Sequence, residues 1–193
     1  MLLFYEIFRL SSSGKSTIAN KLVQDFEKTG QPVQLLDGDI IRRYIGGLFG
    51  YSRDERVKAA KMYTLLANLL NSNGVSVIVA AITAYEENRA FNRTNIDRYF
   101  EIYVECPLEV CQQRDVKGLY ARRMRGEEQH VIGIDDPFES GNTHDLKVNT
   151  SECDIFETMF KIRQFIITKS LNSPFLEHKY GTGKILENPI GEL

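Results

Sequence analysis

The segment of residues 11–17 carries residue types that bind a polyphosphate. It reads Ser-Ser-Ser-Gly-Lys-Ser-Thr and lies between an apolar run and an amphipathic segment. In such a loop the backbone N–H groups and the helix dipole converge on the anion, while a lysine reaches the β- and γ-phosphates and a hydroxyl holds Mg²⁺. We therefore predict a site for ATP and Mg²⁺ formed by Ser11, Ser12, Ser13, Gly14, Lys15, Ser16 and Thr17.

The loop departs from the usual phosphate-loop pattern at its first position. The pattern G-x-x-x-x-G-K-[ST] requires glycine at position 9, where this chain has Arg9. Because glycine permits backbone geometry that a side chain obstructs, Arg9 is compatible with a reduced affinity for nucleotide. The incomplete motif also allows a second interpretation, a serine-rich turn that caps an ordinary helix.

Two carboxylates follow the second apolar run. Asp37 and Asp39 flank Gly38 directly after Leu35 and Leu36. Phosphoryl transfer to a hydroxyl needs an oriented nucleophile and a bound metal, so Asp39 is predicted to accept the hydroxyl proton or to hold a magnesium-bound water. Ser16 and Asp39 are the predicted ligands of the metal, and Asp37 is predicted to support them. The alternative is an Asp-Gly-Asp turn that caps the next helix.

Five short apolar runs predict the strands that must position these groups: residues 2–8, 33–36, 75–81, 99–104 and 146–148. Amphipathic stretches between and after them predict helices at residues 15–28, 53–71, 85–97, 108–114 and 153–170. Alternation of strands and helices is typical of an α/β fold, a three-layer sandwich whose parallel sheet has helices on both faces. Ligands then gather at the carboxyl ends of the strands.

Residues 115–140 lack a clear apolar period and are dense in charged residues and glycine. A compact domain rarely keeps such a stretch without a functional reason, so we predict a mobile lid over the site. Residues 1–172 are predicted to form one domain, and residues 173–193 a tail on its surface.

Composition narrows the classes of function. A formal net charge of −2 gives no overall attraction to nucleic acid or to an anionic membrane. The three cysteines lack the paired spacing of a zinc site, and no apolar run reaches the length of a membrane span. We therefore expect a cytoplasmic protein whose partner is a small molecule.

Longer strings of residues resemble the adenylylsulfate kinase family of P-loop kinases. They are LLDGD at 35–39 with Arg42, GYS at 50–52 with Arg56, PLEVC at 107–111 with Arg114 and Asp115, KGLY at 117–120 and GIDDPFE at 133–139. The resemblance covers about residues 8–152. Because family members phosphorylate the 3′-hydroxyl of adenylylsulfate with ATP, the resemblance implies a nucleotide 3′-kinase, and commonly a homodimer.

The resemblance also implies roles for individual residues. Arg42 and Arg56 bind the phosphosulfate of the acceptor, because a guanidinium holds such oxygens bidentately, and Tyr51 stacks on the base. Arg114 lies against the adenine of ATP. Thr83 matches a serine often described as a phosphorylated intermediate, and we predict it as a catalytic and pocket residue. The remaining implied acceptor contacts are Ile82, Lys117, Gly118 and Leu119, with Asp39.

Three departures fall in the acceptor pocket. Ile40 and Ala59 stand where the family usually has asparagine, and Val131 where it has a phenylalanine that stacks on the base. Losing one aromatic face removes about 1–3 kcal/mol per stacked base. Two alternatives therefore stay open: the same chemistry on another nucleotide, such as a cytidine diphosphate derivative, or a weakly active paralogue that binds nucleotide as a regulatory module.

Overall fold

A computed structural model describes residues 3–141 and 143–171 of the chain. Its centre is a sheet of five parallel strands in the order β2-β3-β1-β4-β5. The predicted parallel sheet is confirmed, and each predicted run contains one strand whose ends differ from the prediction by at most two residues. The strands are β1 (Phe4–Phe8), β2 (Val33–Asp37), β3 (Ser76–Ala81), β4 (Tyr99–Glu105) and β5 (Leu146–Asn149).

Helices cover both faces of the sheet. One apolar cluster joins the sheet to α1 and α7, and a second joins the opposite face to α3. This arrangement is the predicted three-layer sandwich. The helices are α1 (Lys15–Lys28), α2 (Gly38–Ile45), α3 (Arg53–Ser72), α4 (Glu86–Asn95), α5 (Leu108–Arg114), α6 (Leu119–Met124) and α7 (Ile155–Leu171).

Two short helices lie outside the five predicted amphipathic stretches. Helix α2 begins directly after Asp37, whose Oδ1 accepts hydrogen bonds from the backbone N–H of Asp39 at 2.9 Å and of Ile40 at 3.3 Å. The capping turn considered as the alternative for this segment is therefore present. Helix α6 lies inside residues 115–140, where its six residues are too few to show an apolar period.

Strand β1 is central, and its register aligns the ends of its neighbours. Phe8 pairs with Ala81 of β3 and with Tyr103 of β4. All five side chains of β1 are buried, as expected for a strand covered on both faces. The segments that follow β1, β3 and β4 therefore leave the sheet at one edge, together with the segment that follows β2.

A buried carboxylate interrupts the apolar side chains of β1. Glu6 is 3% exposed and accepts a hydrogen bond from Asn92 Nδ2 at 3.1 Å. The hydroxyls of Thr83 and Tyr99 also donate to it. Burying a carboxylate is costly unless donors replace its water, and these three donors do so.

The predicted tail, residues 173–193, lies outside the described residues. Within the described ranges, no helix has both the length and the apolar character needed to cross a bilayer. The division into a domain, a lid and a tail stays a prediction.

Candidate active site

The phosphate loop joins the end of β1 to the start of α1. Gly14 takes φ 98°, a conformation that favours glycine, and its carbonyl accepts the N–H of Ile18 at 3.0 Å to open the helix. Ser12 takes a positive φ of 60°. Arg9 is not among the described non-glycine residues that have a positive φ. The backbone of Arg9 therefore does not adopt the left-handed geometry for which glycine is needed.

Lys15 is buried beneath this loop, and its Nζ donates to the backbone oxygen of Leu10 at 2.5 Å. Burial lowers the pKa of Lys15 to about 8, and the nearby carboxylate of Asp39 partly offsets that effect. An anion such as a β- or γ-phosphate would restore the preference for the charged amine. We therefore expect a bound polyphosphate to raise the pKa of Lys15.

Ser16 contacts one of the two carboxylates after β2, and it is not the one predicted as its fellow metal ligand. Ser16 Oγ donates to Asp37 Oδ2 at 2.8 Å. Asp39, the predicted second metal ligand, is 60% exposed and forms an ion pair with Lys117 from the predicted lid. The described residues hold no cluster of three or more His, Cys, Asp or Glu side chains suited to a metal. One hydroxyl and one carboxylate fit Mg²⁺, which takes few protein ligands and completes its shell with phosphates and water.

Three residues of the loop and most of the predicted acceptor residues line one cavity of about 190 Å³. Ala59, Val131 and several residues of the predicted lid also face it. The predicted residues that do not line it are Ser12, Ser13, Gly14, Thr17, Asp37, Arg114 and Gly118. Gly118 precedes α6 with φ 65°, and Thr17 is exposed in the first turn of α1. The predicted residues on its wall are Ser11, Lys15, Ser16, Asp39, Arg42, Tyr51, Arg56, Ile82, Thr83, Lys117 and Leu119.

Two guanidinium groups flank the half-exposed ring of Tyr51. The Arg42 guanidinium carbon lies 4.6 Å from the ring centroid, and that of Arg56 lies 5.1 Å from it. Burial and the neighbouring charge of Arg42 lower the pKa of Arg56, so these cations gain from an anion between or beside them. Arg56 is fixed by donating to the backbone oxygens of Tyr51 at 2.9 Å and of His130 at 2.8 Å.

The start of α3 places these groups. Ser52 Oγ donates to Glu55 Oε2 at 2.6 Å, and the same oxygen accepts the N–H of Ser52 at 3.2 Å. These two bonds close the turn that precedes α3, the helix that carries Arg56.

Thr83 lies on the cavity wall, yet its hydroxyl is engaged in the core. It is 3% exposed and donates to Glu6. The fully buried Arg89 contacts the same residue, because its Nη1 donates to the Thr83 carbonyl at 2.7 Å. Thr83 is therefore held from both its hydroxyl and its backbone.

Arg114 does not line the cavity. Its Nη2 donates to the backbone oxygen of Thr150 at 2.6 Å. Thr150 Oγ1 in turn donates to the backbone oxygen of Ser13 at 2.8 Å. The predicted adenine contact is thus connected to the phosphate loop through one residue.

The sequence patterns missed several residues that shape the site. Tyr120 donates its hydroxyl to the Ser11 carbonyl at 3.2 Å, and Asp115 accepts the N–H groups of Tyr120 at 3.1 Å and Ala121 at 2.8 Å. Asp115 and Tyr120 belong to the sequence strings that resemble the family, but nothing in their spacing indicated a contact with the loop. The unpredicted cavity residues from the predicted lid are Arg122, Glu128, Gln129, His130 and Ile132.

Comparison with known proteins gives a separate line of evidence. The family model described as adenylylsulphate kinase matches residues 6–149. The adenylyl-sulfate kinase of Chloroflexus aurantiacus is 42% identical over 141 residues, which are 73% of this chain and 76% of the relative. That of Synechococcus sp. (strain JA-3-3Ab) is 37% identical over 155 residues, which are 80% of this chain and 88% of the relative.

One solved structure of an APS kinase shares the fold of this chain. The Mycobacterium tuberculosis APS kinase CysC, in complex with AMPPNP and APS, has a TM-score of 0.81 and 31% sequence identity to this chain. The comparison covers 86% of this chain and 98% of that one. A shikimate kinase from Acinetobacter baumannii, at 22% identity and a TM-score of 0.58, shares the fold alone.

Proposed function

This chain belongs to the adenylylsulphate kinase family, and from that premise we propose that it transfers the γ-phosphate of ATP to the 3′-hydroxyl of adenylylsulfate. The products are ADP and 3′-phosphoadenylylsulfate. The observation that carries the proposal is a cavity whose lining includes Lys15 and Ser16 of the phosphate loop together with Tyr51 and the two arginines beside it.

On the donor side, the phosphate loop binds the triphosphate of ATP. The loop N–H groups and the dipole of α1 face the anion, and Lys15 neutralises the β- and γ-phosphates. Ser16 and the Asp37 carboxylate beside it are the groups that would hold Mg²⁺. When bound, Mg²⁺ stabilises the charge that develops on the transferring phosphoryl group.

On the acceptor side, Arg42 and Arg56 bind the phosphosulfate and Tyr51 stacks on the base. The two guanidiniums lie close to the Tyr51 ring, which places the groups that bind the phosphosulfate next to the group that stacks on the base. Lys117 and Leu119 contact the acceptor from the predicted lid. Because Lys117 pairs with Asp39 in the free protein, acceptor binding exchanges that ion pair for contacts with the substrate.

Transfer then depends on positioning and electrostatics. The 3′-oxygen forms a bond to the γ-phosphorus while the bond from that phosphorus to the β,γ-bridging oxygen breaks. The hydroxyl proton passes to Asp39, and the electron pair of the broken bond leaves on ADP. Lys15 offsets the charge on the leaving group.

Thr83 positions the pocket and does not carry a phosphoryl group. Its hydroxyl proton points to Glu6, and the residue is buried. A phosphorylated Thr83 would place a second anion against a buried carboxylate, which electrostatics disfavours.

The test is a coupled ADP-release assay with MgATP that compares adenylylsulfate with cytidine and other adenosine nucleotides at equal concentrations. Turnover with adenylylsulfate and little with the others is the expected result. Turnover with another nucleotide alone would keep the chemistry and replace the substrate, whereas ATP binding without turnover would favour a regulatory role. Sedimentation analysis of the same preparation tests the proposed homodimer, and fractionation tests the proposed cytoplasmic location.

A further inference from the structure

Arg9 lies over a group of aromatic rings at the root of the phosphate loop. Phe8, Tyr103 and Phe138 contact one another, with ring centroids 5.5–6.3 Å apart. The Arg9 guanidinium carbon lies 4.8 Å from the centroid of Phe138 and 5.4 Å from that of Tyr103. A guanidinium at this distance from partly buried rings is held by cation–π attraction. We call Phe8, Tyr103, Phe138 and Arg9 the aromatic bracket.

A hydrogen bond fixes the orientation of the guanidinium. Arg9 Nη2 donates to the backbone oxygen of Cys106 at 2.9 Å, in the turn between β4 and α5. The rest of the loop is tied to the same part of the molecule, because Ser12 Oγ accepts the N–H of Val116 at 3.1 Å and Ser13 accepts from Thr150. Arg9 therefore forms the first of several contacts that hold the loop against the segments beside it.

Phe138 connects the bracket to the far end of the predicted lid. The next residue, Glu139, donates its N–H to the Ala84 carbonyl at 2.8 Å, and its carboxylate accepts from the N–H of Glu86 at 2.8 Å and from Arg53 at 2.9 Å. The aromatic bracket thus joins the start of the phosphate loop to the point where the predicted lid returns to the body of the protein.

We propose that Arg9 is a positioning residue that ties the phosphate loop to the returning end of residues 115–140. The proposal rests on the proposed function for its kinetic part. Arg9 acts through Phe138 and the Cys106 carbonyl, and it fills space beside the loop with favourable contacts instead of obstructing it. Replacement by glycine, the residue of the usual pattern, therefore weakens the enzyme.

The experiment compares wild type with R9G, R9M and R9K, and with R163A as a matched control. Arg163 pairs with Asp25 on the surface, at a place where no residue of the site lies. Methionine keeps a long apolar side chain without the cation. R9M therefore removes the guanidinium without adding the backbone freedom that glycine brings. Lysine keeps the charge and one donor, so R9K should recover part of the loss.

Two measurements apply to each variant. Hydrogen exchange of the peptide that covers residues 131–141, including the Glu139 amide, needs no substrate. We expect exchange about three- to tenfold faster in R9G and R9M than in wild type and R163A. Steady-state kinetics should show KM for adenylylsulfate raised by about the same factor, because residues 131–141 lose their tie to the loop. The equilibrium affinity for an ATP analogue should stay within about twofold of wild type, because Ser12 and Ser13 keep their contacts.

Unchanged exchange in R9M, or a gain in turnover in R9G, would overturn the proposal. An R9K variant no better than R9M would also count against it. If the wild-type protein did not turn over adenylylsulfate, the proposed function would fail, and the exchange measurement would still decide whether Arg9 anchors residues 131–141.

Discussion

We expect the protonation state of Lys15 to affect the binding of ATP. Burial lowers the pKa of this lysine to about 8 in the free protein, and bound phosphates of ATP would raise it again. Affinity is therefore complete below pH 8 and is lost as the pH rises through 8 toward the pKa of the complex. We expect the Kd for a non-hydrolysable ATP analogue to rise by up to about tenfold per pH unit above pH 8.

Calorimetric titration between about pH 7 and 9.5 checks this dependence. The K15R variant is the control, because arginine stays charged throughout and should flatten the profile. A wild-type Kd that does not change across pH 8 would contradict the prediction.

Arg56 should discriminate the acceptor from the donor. Removing a guanidinium that binds an anion costs about 1.5–3 kcal/mol, so R56A should raise KM for adenylylsulfate by about 10- to 100-fold. The affinity for ATP should change little. Arg43 lies on α2 and does not line the cavity, which makes R43A the control. An equal loss in both KM values for R56A would place Arg56 elsewhere in the mechanism.

Thr83 tests whether the reaction passes through a phosphorylated side chain. In T83V the buried Glu6 loses one donor, and we expect the free energy of unfolding in urea to fall by about 1–3 kcal/mol. Turnover measured well below the melting temperature should persist. T83S should match wild type in both respects. Complete loss of turnover in folded T83V, together with phosphate on Thr83 in the wild type, would establish the covalent route.

At the residue scale, sequence motifs pointed to several residues that line the cavity. Short sequence motifs, whose residue types indicate their chemistry, contain Lys15, Ser16, Arg42 and Tyr51. The environment of Arg9 was not readable, because Tyr103, Cys106 and Phe138 are about 94–129 positions away along the chain and only the fold brings them together.

At the scale of elements, α6 shows how one carboxylate can order a segment. Asp115 accepts the first N–H groups of this helix, and the helix carries the Tyr120 hydroxyl to the phosphate loop. Loss of such a cap costs about 0.5–2 kcal/mol. We expect D115A to lower the melting temperature and to raise KM for ATP, while D115N keeps most of both because asparagine also caps helices.

Differential scanning calorimetry and ATP kinetics on D115A and D115N check this prediction. Equal losses in the two variants would show that the negative charge of Asp115 matters more than its acceptor geometry. An unchanged KM for ATP in D115A would show that α6 does not position the loop.

The long elements were predictable and the short ones were not. Helices α1 and α5 begin and end where their amphipathic patterns predict. Helix α6 needs the Asp115 cap and the left-handed Gly118 before it, and neither produces a hydrophobic period. Residues 115–140 therefore contain regular structure that the pattern did not indicate.

At the scale of the whole molecule, alternating strands and helices were enough to predict the parallel sheet and its two covered faces. The strand order was not predicted, because it depends on which strands pair at long range. In the observed order, β1 lies between β3 and β4, and this order brings the ends of four strands to one edge. The cavity forms there, as is usual for open α/β sheets.

The central place of β1 has a consequence for synthesis on the ribosome. Phe4 pairs with Val77 and with Tyr99, so β1 is made well before either neighbour. At about 5–20 residues per second, roughly 4–15 s pass before β3 exists. In that interval Glu6 has none of its later donors and stays charged and hydrated within an otherwise apolar stretch. A charge in such a stretch acts as a gatekeeper against aggregation, so the carboxylate that is costly to bury in the finished protein protects the nascent chain.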